Sequence, residues 1–162
     1  MSETFRLTDL LNSLALLERR GQRLYGELAA RHAAQPELKA LFTELAGWER
    51  KHEQLYTRLL HEAEAGDAEA RVEEADPDYG AYLRALVESA LHLGDRAQTP
   101  CQDLRAALAI VLQLEKDTLL FLDAVTPHLP APHLPQLASV LREERRHVAM
   151  LQRLLAKAEP AG

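Results

Sequence analysis

Apolar residues recur every three or four positions along four long stretches of the chain, which is the spacing of one buried helix face. The first stretch, about residues 8–34, carries Leu11, Leu14, Tyr25 and Leu28 on that face, with Thr8 or Asp9 as the expected N-cap. Pro36 opens the second, about 36–65, which carries Leu38, Phe42, Leu45, Tyr56 and Leu59 and stops at Gly66. The third, about 100–125, starts near Pro100 and carries Leu104, Leu108, Val111, Leu122 and Val125. A proline-rich loop at 126–133 leads into the fourth, about 134–158, with Leu137, Val140, Leu151 and Leu154. Between the second and third lie a polar stretch, 67–78, and a shorter amphipathic helix from Tyr79 to Leu93. Strands are excluded by residue type: the one isoleucine, six valines and seven threonines are scattered, with no alternating run.

Connection lengths constrain how these helices pack. Two or three residues join the first pair and about eight join the last, so each pair is antiparallel. A helix of about 25 residues is about 37 Å long, and a crossover over residues 66–99 can span it. The expectation is an all-α, antiparallel four-helix bundle, one domain over 1–162, with a long crossover carrying a short accessory helix.

The middle of each apolar seam is not apolar. The first helix places Glu18 there, the second Glu49 and His52, the third Glu115, and the fourth Glu144 and His147. Burying an unpaired carboxylate costs several kcal/mol, so packing alone would not select this pattern. The levels match as well. The tight turn near residues 34–35 sets Glu18 opposite residue 51, and Glu115 and Glu144 each stand ten residues from the loop joining their helices. Both halves of the chain repeat one scheme, a helix with one Glu followed by a helix with Glu-x-x-His. Residues three apart share a helix face, so each Glu–His pair can bind one ion together. Four carboxylates and two imidazoles converging in a bundle form the constellation of carboxylate-bridged di-iron and di-manganese sites. The donors suit Fe, Mn, mixed Fe/Mn or Zn rather than Ca. The alternative is a buried, hydrogen-bonded Glu–His cluster without metal.

Composition narrows the function classes. A net charge of −6 argues against nucleic acid or an anionic membrane as partner. No run of 18 apolar residues and no signal-peptide pattern occurs, so a cytoplasmic location is expected. The single cysteine, Cys101, excludes a zinc site of several cysteines and any iron–sulfur or rubredoxin-type centre within this sequence.

The site residues resemble those of the ferritin-like superfamily, specifically rubrerythrin-like and bacterioferritin-like di-iron proteins. The resemblance rests on Glu18 followed seven residues later by Tyr25, on Phe42-x-x-Leu45-Ala46-x-x-Glu49-x-x-His52, and on Leu141-x-x-Glu144-x-x-His147-x-x-Met150. It implies two iron ions bridged by Glu49 and Glu144, with Glu18 and Glu115 as terminal ligands and His52 and His147 completing the two sets. Rubrerythrins proper carry a further ligand Glu on the third helix, but Leu112 and Thr118 flank Glu115 here, so the set has six ligands. The haem-ligating Met of bacterioferritins is replaced by Arg50, and no haem is expected.

The resemblance implies a non-haem di-iron oxidoreductase of peroxidase or ferroxidase type, reacting with hydrogen peroxide or dioxygen and reduced by an external electron-donor protein. The alternatives are iron binding for storage or transfer, with or without a shell protein, and a metal-free structural bundle. Tyr25 is placed to hydrogen-bond a ligand carboxylate or quench a radical, or else to fill the core. Tyr56 reads as core. Glu143 lies off the seam and is the alternative to Glu144 as the ligand, Glu53 reads as solvated or as a neighbour of the ligands, and Asp117 and Asp123 read as surface acids. Gly21 on the seam leaves room for the site or for an oxidant. His32 is on the seam but near a helix end and reads as a satisfied or exposed histidine, His128 and His133 read as surface, and His61 and His92 show no partner pattern. The apolar face of the accessory helix, Tyr79, Tyr82, Leu83, Leu86, Val87 and Leu91, must cover the bundle or a second copy, and a homodimer is expected.

Overall fold

The computed structural model describes residues 6–65, 77–96 and 103–158. These form α1 (Leu7–Arg31), α2 (Pro36–Ala65), α3 (Pro77–Arg96), α4 (Leu104–Val125) and α5 (Leu134–Lys157), with two 3-10 turns, Thr126–His128 and Ala131–His133, between the last two. No β-strand occurs among the described residues. None of the described helices is long and apolar enough to cross a membrane.

Local chemistry sets the helix ends, in places differently from the expectation. The N-cap of α1 is Arg6, and Asp9 sits inside the first turn, where its carboxylate accepts the Arg6 backbone N–H at 3.1 Å. Thr8 is therefore helical. The same helix stops at Arg31, three residues short of the expected end. Likewise α4 begins at Leu104 because Asp103 caps it, its side chain accepting the Arg105 N–H at 3.0 Å. Pro100, the expected start, lies outside the described residues. The accessory helix α3 is longer than expected. It opens at Pro77, a residue suited to a first turn, and continues past Gly94.

The four long helices α1, α2, α4 and α5 make the bundle. The most extensive pair is α1 with α2, followed by α4 with α5, and α3 packs on α4 and α1. Fully buried Leu10, Leu14, Phe42, Leu45, Leu108 and Leu137 belong to one continuous apolar core. Each such side chain contributes about 1.5–3 kcal/mol by leaving water. The Tyr79 hydroxyl of α3 donates to the Ala124 carbonyl of α4, and Leu83 is fully buried, so this face of α3 is used on its own bundle. Tyr82 on the same helix is exposed. The side chains of Val87 and Leu91 lie outside the described residues.

Asp117 corrects the expectation of a surface acid. It is buried, and its carboxylate accepts the Gln113 side-chain amide at 2.8 Å. The reason is that α4 packs against α1, α3 and α5, so more than one of its faces is covered. Asp123 is exposed and pairs with Arg145 at 3.6 Å.

Candidate metal centre

Each of the four bundle helices delivers its share of the site at the same level. Glu18 comes from α1, Glu49 and His52 from α2, Glu115 from α4, and Glu144 and His147 from α5. All six residues are at most 4% exposed. The structure brings them together as two quartets. Ligand-capable atoms of Glu18, Glu49, His52 and Glu144 all lie within 4.8 Å of one another, and so do those of Glu49, Glu115, Glu144 and His147. Donors about 2.0–2.2 Å from one ion lie at most about 4.4 Å apart, so each quartet is close to the span of a coordination sphere. Glu49 and Glu144 belong to both quartets.

His52 Nδ1 stands 2.6 Å from Glu144 Oε1 and 3.5 Å from Glu18 Oε2, yet neither approach has hydrogen-bond geometry. On the other side of the ring, Nε2–H donates to Glu143 Oε2 at 2.9 Å, since a carboxylate can only accept. His147 Nδ1 lies 3.1 Å from Glu144 Oε2 and 3.8 Å from both Glu49 Oε1 and Glu115 Oε1. The two imidazoles stack with centroids 6.2 Å apart. Tyr25, on α1, donates its hydroxyl across the bundle to Glu115 Oε1 on α4. Burial, and then the Glu115 charge, push the Tyr25 phenol well above its usual range, so it stays a donor.

The electrostatics are those of crowded acids. Burial, and then the Glu144 charge, raise Glu18 above the ordinary carboxylate range. Burial, followed by Glu115, raises Glu49 well above it, and burial with Glu144 does the same to Glu115. Glu144 goes the other way. Burial works against its ionisation, but His147 and His52 outweigh that and hold it low. Burial pulls His52 down, yet Glu144 and Glu18 more than offset it and hold the imidazole at about 11.

The residues fit a pair of cations. Both Glu18 oxygens, Glu49 Oε1, His52 Nδ1 and Glu144 Oε1 are buried without a hydrogen-bond partner. An orphaned buried polar atom costs roughly 1–3 kcal/mol, so five in one place call for a ligand. Four carboxylates would neutralise two divalent ions, and the donor set of oxygens and imidazole nitrogens suits iron, manganese or zinc. Gly21 makes the room. A Cβ at that position would overlap the Glu49 carboxylate and come within 3.1 Å of its Cδ.

Two neighbours escaped sequence reasoning. Glu143, weighed there only as a substitute ligand, is instead the hydrogen-bond partner of His52. Trp48 packs beside both imidazoles, tilted to each with ring centroids 6.4 Å apart, and the Lys51 ammonium lies 3.9 Å from the Trp48 centroid. The available signal was positional, because each residue directly precedes the Glu of a Glu-x-x-His pair. Glu53 pairs with Arg19 at 2.8 Å. Tyr56 is fully buried in the core, and its hydroxyl has no hydrogen-bond partner. Among the other histidines, His32 caps the end of α1 with its ring 6.0 Å from Phe42, while His61 and His133 approach Glu64 and Glu62 at 3.5 and 3.7 Å. The ring of His128 lies 5.6 Å from that of Tyr79.

A helical bundle holding a buried carboxylate–histidine cluster of this kind has the architecture of a metal-binding four-helix protein. The sequence matches the rubrerythrin family over residues 9–155, and the chain belongs to that family. Its fold is similar to that of a crystallographically solved protein from Thermotoga maritima, described as a ferritin-like diiron-carboxylate protein. The two share 18% identity and a TM-score of 0.72 over 96% of this chain and 98% of the other. No curated protein matches the chain.

Proposed function

We propose that this chain is a non-haem di-iron carboxylate oxidoreductase whose reduced centre reacts with hydrogen peroxide or dioxygen. The observation that carries the reading is the pair of buried quartets sharing Glu49 and Glu144. Glu18 and His52 would hold one ion, Glu115 and His147 the other, and the two shared carboxylates would bridge them. The chemistry that iron supplies when bound is two-electron reduction of an O–O bond, with one electron from each ion.

The chain's own residues do the rest. Four carboxylates would balance the four positive charges of two ferrous ions, which favours loading and makes the ferric state accessible. The Tyr25 hydroxyl holds its proton on Glu115 Oε1 and so fixes that carboxylate's orientation. The Trp48 ring packs beside both imidazoles, with its centroid 6.4 Å from each. Between α2 and α5 a cavity of about 340 Å3, lined by Leu45, Trp48, Arg146 and Met150 among others, reaches His147 and is wide enough for a small oxidant. Re-reduction is assigned to an external electron-donor protein, since the one cysteine of this sequence cannot build a rubredoxin-type centre within it. The reading includes a cytoplasmic homodimer.

Anaerobic titration with Fe(II), followed by rapid mixing with hydrogen peroxide or dioxygen, tests the reading. Saturation near two ions per chain and a rise in ferric near-ultraviolet absorption faster than that of free iron are expected. Saturation at zero or one ion, or no reaction with either oxidant, contradicts it.

A further inference from the structure

The internal repeat pairs each site residue with a mirror residue: Glu18 with Glu115, Glu49 with Glu144, and His52 with His147. Around these matched ligands the symmetry breaks. The residue before the Glu of Glu-x-x-His is Glu143 on α5 but Trp48 on α2. Glu143 accepts the Nε2–H of His52 at 2.9 Å, and the Ser139 hydroxyl reaches its other oxygen at 3.4 Å. Trp48 packs 6.4 Å from the His147 ring and offers no acceptor, because an indole N–H only donates. A second difference lies seven residues after the terminal Glu of each half, where Tyr25 has Leu122 as its mirror. The Tyr25 hydroxyl binds Glu115 and withdraws electron density from it. Glu18 keeps both oxygens without a hydrogen-bond partner.

Both differences act in the same direction. A carboxylate on the far nitrogen of an imidazole makes the near nitrogen a stronger donor and fixes the ring's orientation. A hydrogen bond donated to a ligand carboxylate makes it a weaker donor. We propose that the two metal positions are inequivalent: the one held by Glu18 and His52 binds a divalent ion more tightly than the one held by Glu115 and His147, and Glu143 is the positioning residue that sets the difference. The inference rests on the dinuclear reading of the site. Loading is then stepwise. The cavity between α2 and α5 reaches His147 and Glu143, which puts the weaker position beside the route of exchange.

Oxygen-free titration of the full chain with Co(II) tests this, following visible absorption and the quenching of Trp48, the chain's one tryptophan. Two resolved steps totalling two ions are expected. Glu143→Gln keeps an acceptor oxygen but removes the charge, so it should weaken the tighter step roughly 10–100-fold and leave the weaker within about twofold. The steps then merge. Trp48→Glu supplies His147 with an acid in the mirror position and should tighten the weaker step. Two ions of equal intrinsic affinity in the wild type overturn the inference and leave the dinuclear site standing. So does a Glu143→Gln variant, folded by circular dichroism, that weakens both steps alike or neither. No Co(II) binding by the wild type overturns the dinuclear reading itself.

Discussion

Glu18 shows the conflict that shapes this site. It is fully buried between Leu14 and Tyr25 on the α1 seam, and neither of its oxygens has a hydrogen-bond partner. In the metal-free protein such a group opposes folding, so Glu18→Leu should stabilise that form by about 1–4 kcal/mol. On the proposed dinuclear reading, the same change removes a ligand. Melting curves with and without Fe(II) should therefore show the variant higher without metal and gaining less from it, because the linkage term depends on affinity. A variant that is less stable without metal and loads normally would place Glu18 outside the site. The sign of the pH dependence follows from the same groups. A raised pKa in the fold gives stability that is full below the unfolded value and lost as pH rises. Glu18, Glu49 and Glu115 are raised from 4.5, so the metal-free fold should weaken as pH climbs above that value. His52 adds a further loss between 6.5 and about 11. Glu144, held low, contributes above 4.5, and its contribution fades as pH falls through its lowered pKa. Metal takes the place of these protons, so loading should release protons and tighten with rising pH. Calorimetry in buffers of different ionisation enthalpy reads that release directly, and proton-independent binding would contradict the account.

At the scale of the element, α1 gives up helix stability to admit a neighbour. Gly21 costs about 1 kcal/mol relative to Ala in a helix interior. The Glu49 carboxylate of α2 occupies the space a side chain there would need. Gly21→Ala should leave the metal-free protein folded, with the helix gain offsetting displacement of Glu49, and should weaken metal binding by roughly tenfold or more, as when support of a ligand is lost. Equilibrium dialysis checks this, and unchanged affinity would show that Glu49 does not need that space. The element scale also separates what the sequence could and could not reveal. The six acids and imidazoles stood out because each lies on its own helix's apolar seam, where period alone assigns direction. Glu143 and Trp48 lie one residue off the seam, and which imidazole each meets depends on how α2 and α5 are rotated against one another. Asp117 was misplaced for a related reason, since a single seam takes no account of the second and third helices packed on α4. Helix ends depended on individual caps such as Asp103, which the proline at 100 obscured.

For the whole molecule, the long helices act as a frame whose apolar layers offset a polar one. Leu10, Leu14, Leu45, Leu108 and Leu137 are fully buried in the layers that flank the charged middle. Rigid helices hold the six donors near coordinating distance of one another before any ion arrives, which reduces the ordering that binding would otherwise require. The two-fold repeat of the sequence is retained in the ligand quartets and broken in their neighbours. Crystals loaded with Fe(II) under anaerobic conditions and measured at the iron absorption edge offer the most direct test. The account predicts two anomalous peaks per chain, one beside Glu18 and His52 and one beside Glu115 and His147, with Glu49 and Glu144 contacting both. A single peak, or iron bound elsewhere with these six side chains hydrogen-bonded only to one another, would contradict it.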